Sequence, residues 1–335
     1  MLTMNKKTFK SGIFILMFLL LVVGCQRDKN VSSKDAIVFR LAEIHPTDYP
    51  TTLADKEFAR LVEERTNGRI IIKVYDSQQL GEEKAVLEQV QFGAIDFART
   101  SLAPLSEFAP ELNVLQLPYI YRDGDHMWQV LNSSIGDFFL DSIEGAGFIG
   151  LGWYDAGARS FYNSVREIHT IDDLKGLKFR VMESALMIDM AKALGSSVTP
   201  MPYGEVYSAI QTGVIDGAEN NFPSYDTSSH FEVAKYFTVD EHVRVPEVLI
   251  ASALVLDRIS EEDLIIIKEC ASDTQMFQRE KWQEKVSESE LKMREEGCII
   301  TEIKDKQNFV KAVSPIYEKY AKDYMGIVKQ IQEMR

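Results

Sequence analysis

Hydrophobic and polar positions fall into two rhythms that alternate along most of the chain. From Thr51 to Thr66 the apolar residues Leu53, Ala54, Phe58, Leu61 and Val62 recur at helical spacing, and Asn67-Gly68 supplies a stop. Arg69-Ile70-Ile71-Ile72-Lys73-Val74-Tyr75 then predicts a buried strand. Glu82 to Gln91 predicts a second helix, and Ala94 to Ala98 the strand after it. Ahead of them, Ile37 to Leu41 is a strand that runs into the polar loop Glu43 to Pro50. Strands and helices in alternation argue for an α/β protein built in layers. Near the other end, Ser260 to Glu296 contains neither Pro nor Gly, and Ser260-Glu261-Glu262-Asp263 is an N-cap followed by first-turn acids. Such a helix would reach ~50 Å. That exceeds one lobe, so it should lie across two.

A repeat supports two lobes. Gln91-Phe92-Gly93-Ala94-Ile95-Asp96-Phe97-Ala98 matches Gln211-Thr212-Gly213-Val214-Ile215-Asp216-Gly217-Ala218, 120 positions later. Each copy ends a helix, turns on glycine and enters a strand. Ligands of open α/β sheets bind beyond the carboxyl ends of strands. The residues there are Arg99-Thr100-Ser101 after one copy and Glu219-Asn220-Asn221 after the other, which would meet on one cleft.

The first residues address the compartment. Lys6, Lys7 and Lys10 precede an apolar stretch from Ile13 to Val23, about half the ~20 residues of a bilayer span. Leu21-Val22-Val23-Gly24-Cys25 looks like a lipobox, so 1–24 reads as a lipoprotein signal peptide, Cys25 as the lipidation site and 25–35 as a tether. The expected location is outside the cytoplasm, lipid-anchored at the outer face of the cytoplasmic membrane or in the periplasm. The remaining 311 residues of the 335 suit two lobes. The formal charge is −14, and without the three signal lysines −17, which repels nucleic acid. Cys270 and Cys298 are read as free thiols, and the five histidines show no metal spacing.

Nothing nominates an enzyme: no nucleophile elbow, phosphate loop, zinc motif or dinucleotide fingerprint is present. Binding groups are easier to find. In Leu177-Lys178-Phe179-Arg180-Val181, Phe179 and Val181 share one face and Arg180 takes the other. A buried arginine needs either a ligand carboxylate or an internal acid, and both readings stand on these residues alone. Arg159, entering a strand after Gly157-Ala158, and Asn220 are further candidates, as is His45 in the loop after the first strand. Trp153 and Tyr154 could face a sugar or pack a hinge.

Gly176-Leu177-Lys178-Phe179-Arg180-Val181 and the segment from Met201-Pro202-Tyr203-Gly204-Glu205 through Asp216-Gly217-Ala218-Glu219-Asn220 resemble the DctP-type solute-binding proteins of TRAP transporters, with Leu117-Pro118-Tyr119 and Gln79-Leu80-Gly81 in agreement. The resemblance implies a two-lobed, periplasmic-binding-protein-like α/β fold with a ligand cleft and a long helix spanning both lobes. It places 36–156 plus about 246–285 in lobe one, and 157–245 plus about 286–335 in lobe two. It implies Arg180 as the clamp on a ligand carboxylate, with Arg159 and Asn220 as further contacts. Arg99, Glu43 and His45 would act from the first lobe. Glu219-Asn220-Asn221-Phe222-Pro223 and His230 to Tyr236 resemble members that bind hexuronates, whose hydroxyls would use Glu183 and Tyr203 as well. The implied partners are a small organic acid and membrane permease subunits, with no cofactor or metal. A dicarboxylate or sialic acid ligand, a sensing lipoprotein that presents the acid to a membrane kinase, and an enzyme acting on uronates are the alternatives.

Overall fold

The computed structural model describes residues 36–334; the signal, the tether and Cys25 lie outside the described residues. Eleven strands form two sheets: β1 (Ile37–Ala42), β2 (Ile70–Tyr75), β3 (Phe97–Ser101), β4 (Phe148–Tyr154), β5 (Ala158–Asn163), β6 (Lys178–Val181), β7 (Ser197–Pro200), β8 (Gly217–Asn220), β9 (Tyr236–Arg244), β10 (Glu247–Ser252) and β11 (Ile299–Glu302). The first sheet runs β2-β1-β3-β10-β4 and the second β11-β9-β5-β8-β6-β7. This is the expected α/β fold with two lobes.

The repeat is the repeating unit of that fold. Helix Glu83–Gln91 and helix Val206–Gln211 each stop on a glycine with positive φ, Gly93 at 72° and Gly213 at 71°. A Cβ strains that backbone, so glycine is favoured at both. Beyond the turn each copy spends its aspartate alike: Asp96 accepts the Arg40 N–H and Asp216 the Lys178 N–H, both at 2.8 Å. The carboxylate thereby ties the turn to the neighbouring parallel strand.

The chain passes between lobes side by side, from β4 to β5 through Asp155-Ala156-Gly157 and from β9 to β10 through Val245-Pro246. The long helix, Glu261–Glu295, is capped by the Ser260 hydroxyl, which accepts the Asp263 N–H at 3.1 Å. Its buried residues Ile267, Cys270, Ala271, Thr274, Gln278, Trp282, Ser289 and Met293 form one stripe. That stripe lies on helix Pro50–Arg65 and β4 at one end and on helix Phe222–Thr227 at the other. At the crossing, Gln278 both accepts the Asp155 N–H (2.7 Å) and donates to the Asp155 carbonyl (2.8 Å).

The stretch expected to run wholly in the second lobe divides. β11 joins the second sheet, but helix Met325–Glu333 returns to the first lobe, where His126 meets the Ile331 carbonyl at 2.8 Å and Phe139 packs near Tyr324. The apolar stripe of that helix, with Val328 and Ile331 buried, finds its cover there. Trp153 and Tyr154 are buried in the interior. Cys270 and Cys298 carry free thiols. Among the described residues no helix is long and apolar enough to cross a membrane.

Candidate functional site

The sheet edges converge on a cavity between the lobes. β6 and β8 run parallel, and β5 is antiparallel to β8, so the carboxyl ends of the first two and the start of the third share one edge. Arg180, Asn220 and Arg159 stand there. From the first lobe come the end of β3 with Arg99 and Ser101, the start of β10 with Glu247, and the loop with Ile44 and His45. The free space left between these side chains is narrow, about 30 Å³.

The three arginines live in different electrostatic company. Arg159 Nε donates to Glu219 Oε2 at 2.5 Å, its Nη2 to Glu219 Oε1 at 3.0 Å, and its Nη1 to Asn220 Oδ1 at 2.9 Å. Arg99 is shared by Glu43, Glu83 and Glu247, with Nε to Glu43 Oε2 at 2.9 Å and Nη1 to Glu247 Oε2 at 2.7 Å. Arg180 is 4% exposed, and its Nε donates to the Met201 carbonyl at 2.9 Å. It pairs with no carboxylate among the described residues, and its terminal nitrogens are left for the cavity. Burial pulls its affinity for the proton below that of an ordinary arginine; Glu219 opposes this, and the like charge of Arg159 adds to it.

The opposite wall is acidic. Burial raises the Glu247 carboxyl, partly offset by Arg99. Glu43 is deeper still: burial opposes its charge, but Arg99 and His45 outweigh it and hold the carboxyl below the usual range. Three carboxylates meet one guanidinium there, whereas the second-lobe wall carries the unspent charge of Arg180. The cavity is polarised across its width.

Of the residues singled out from sequence, Arg180, Arg159, Asn220, Arg99, His45 and Tyr203 line the cavity together. Glu43 does not; it stands behind, holding His45 Nδ1 (3.0 Å), Thr51 (2.7 Å) and Arg99. Glu183 is half-buried and outside the lining. His45 stacks on Tyr49 at 3.9 Å, and the Arg180 guanidinium lies 6.0 Å from the Tyr203 ring. Glu83, Met182, Ser224 and Glu247 also line the space and were not foreseen. Ser101, in the segment after the first repeat that was expected on the cleft, lines it as well. Among the described residues no cluster of His, Cys, Asp or Glu could hold a metal.

Comparison with known proteins shows the same fold and its family. A solute-binding protein of Chromohalobacter salexigens is 41% identical over 292 residues, 87% of each chain. The crystal structure of a TRAP periplasmic solute-binding protein from Bradyrhizobium sp. BTAi1, in complex with α/β-D-galacturonate, superposes with a TM-score of 0.87 at 42% identity, covering 89% of this chain and all of that one. One from Chromohalobacter salexigens with bound D-glucuronate gives 0.86 at 40% identity, again over 89% of this chain and all of the other. The model of the DctP family matches residues 41–323. With that match over most of its length, and a cleft of this form between its lobes, the chain belongs to the DctP family, the bacterial extracellular solute-binding proteins of family 7.

Proposed function

We propose that this protein captures a hexuronate of the D-glucuronate or D-galacturonate kind between its lobes and delivers it to a TRAP-type membrane permease. One observation carries the ligand class: Arg180 is a buried guanidinium without a carboxylate of its own, at the wall of a polar cavity between the lobes. A ligand carboxylate there accepts paired N–H bonds from a planar fork. The facing wall selects the remainder of the molecule. Glu83 and Glu247 are acceptors, so hydroxyl groups can donate to them, whereas a second carboxylate would meet like charge. This favours a sugar acid over a dicarboxylate, and the uronates bound by the similar structures agree.

Capture follows from differential contact. Arg180 and Asn220 move with the second lobe, His45 and Glu247 with the first, so a bridging ligand stabilises the closed arrangement. The acyl anchor at Cys25 belongs to the same reading, since a tethered receptor stays near its permease. Cys25→Ala should release the protein from membranes or block its processing; unchanged membrane fractionation would remove the anchor. Calorimetry with D-glucuronate, D-galacturonate, D-glucose, succinate and N-acetylneuraminate tests the ligand class. Binding confined to the two uronates is the expected result, and binding of succinate or glucose alone would overturn it.

A further inference from the structure

Ile44 and Tyr203 border a second cavity as well as the first. It holds about 270 Å³ and is more open to solvent. The first lobe contributes Ser77 and Gln78, and the second Tyr207, Thr227, Ser228 and His230. No carboxylate, lysine or arginine belongs to its lining among the described residues. His230 is uncharged there as well: burial and the nearby Arg180 push its pKa down to about 3. Its Nδ1 is engaged by the Tyr162 hydroxyl at 2.6 Å, which leaves Nε2 to be offered outward. Hydroxyls, an amide, an imidazole and aromatic edges make a lining suited to a neutral polyol.

The turn that supplies Gln78 is held in place at a cost. Ser77 and Gln78 both have positive φ, 54° and 62°, which residues bearing a Cβ adopt rarely. Two backbone bonds tie the turn to the loop of the first cavity: Ser77 N–H to the His45 carbonyl (2.7 Å) and Gln78 N–H to that of Glu43 (3.2 Å). The two cavities therefore share a wall and a support.

Their junction dictates which ligand atoms could cross it. Tyr203, on the border, is the ring 6.0 Å from the Arg180 guanidinium, so the second cavity branches off beside the carboxylate end. In a pyranuronate the carboxylate sits on C5, between C4 and the ring oxygen that leads to C1. Substituents leaving from that end are those on O4 and O1.

We infer that the cleft accepts uronates carrying a neutral substituent on O1 or O4, up to the size of a second sugar, seated in this second cavity. The inference rests on the uronate reading above and extends it from the free sugar acid to its glycosides and ethers.

Calorimetry on the full-length mature protein would compare free D-glucuronate with 4-O-methyl-D-glucuronate and with glucuronosyl-(1→2)-xylose. At least one substituted form should bind within tenfold of the free acid. Thr227→Phe, which fills the second cavity, should weaken that form tenfold or more and leave free glucuronate within twofold; Tyr207→Ala should act in the same direction. Binding of free glucuronate alone would overturn the inference and leave the uronate reading intact. Equal affinities in wild type and Thr227→Phe for the substituted form would also overturn it. If neither free nor substituted acids bind, the uronate reading itself fails and takes the inference with it.

Discussion

Arg159 and Glu219 answer each other in full, with Nε and Oε2 2.5 Å apart and Nη2 and Oε1 3.0 Å apart in the buried second sheet. Arg180, two strands away along β5-β8-β6, has no such mate. Two arginines on one sheet edge thus differ in company, one paired with an internal acid and one without.

Replacing Arg180 should separate binding from stability. Arg180→Met removes a charge that the fold buries without compensation, so the thermal midpoint of the unliganded protein should hold or rise. Uronate affinity should fall by about 100-fold or more, the scale of two charge-assisted bonds at roughly 1.5–3 kcal/mol each. Calorimetry and a melt on the same preparation check both; affinity within a few-fold of wild type would sink the clamp.

Arg159→Met should do the reverse. It strands Glu219, whose carboxyl the pairing with Arg159 and His242 brings down to about 2 against the opposing effect of burial. Breaking a buried pair costs about 3–5 kcal/mol, to be read from urea unfolding. If affinity drops while stability stays, Arg159 is a ligand contact rather than a brace.

Gly204 should matter for closure alone. It faces the first lobe, where a Cβ built on it would stand 2.7 Å from Glu82 Oε1 and 2.8 Å from Gln78 Oε1. Gly204→Val should weaken uronate binding about tenfold with little change in the unliganded melt, because only the closed arrangement is obstructed. Unchanged affinity would show that the contact is dispensable.

How much of this was legible in sequence follows from how local each feature is. The two helix–glycine–strand junctions were readable because a glycine turn that ends a helix is a local device, whereas the aspartate bonds that follow reach Arg40 and Lys178, 56 and 38 positions away, and were not. The alternation around Arg180 was readable for the same reason. What Arg159 and Arg99 would do was not. Their partners Glu219 and Glu43 lie 60 and 56 positions away, and an arginine looks alike whether an acid or a ligand will meet it. Glu83 and Glu247 were hidden among many acids, since only the closed packing decides which of them lose water. The last helix was assigned to the wrong neighbour because its apolar stripe records that it needs cover, not whose.

Stability should fall on the alkaline side. His242 lies unexposed, 2.8 Å from Asp240 and 3.6 Å from Glu219. Burial disfavours its charge, but the two acids prevail and raise its pKa to about 9. A folded pKa above the unfolded one of ~6.5 means that this contribution is complete below pH ~6.5 and is lost as pH rises to about 9. The linked change is on the order of 3 kcal/mol. Unfolding measured from pH 6 to 9.5 should show the decline, and His242→Gln should flatten it; a wild-type profile that is level across this window would refute the assignment.

The helix Glu261–Glu295 sets a boundary on ligand shape that no cleft residue sets. It is fastened midway by Gln278 to Asp155 and reaches both lobes, and a helix ladder resists stretching. The lobes can therefore swing but cannot draw apart along it. The opening changes in angle while its depth stays constant, so a ligand too long for that depth is refused however well Arg180 holds its carboxylate.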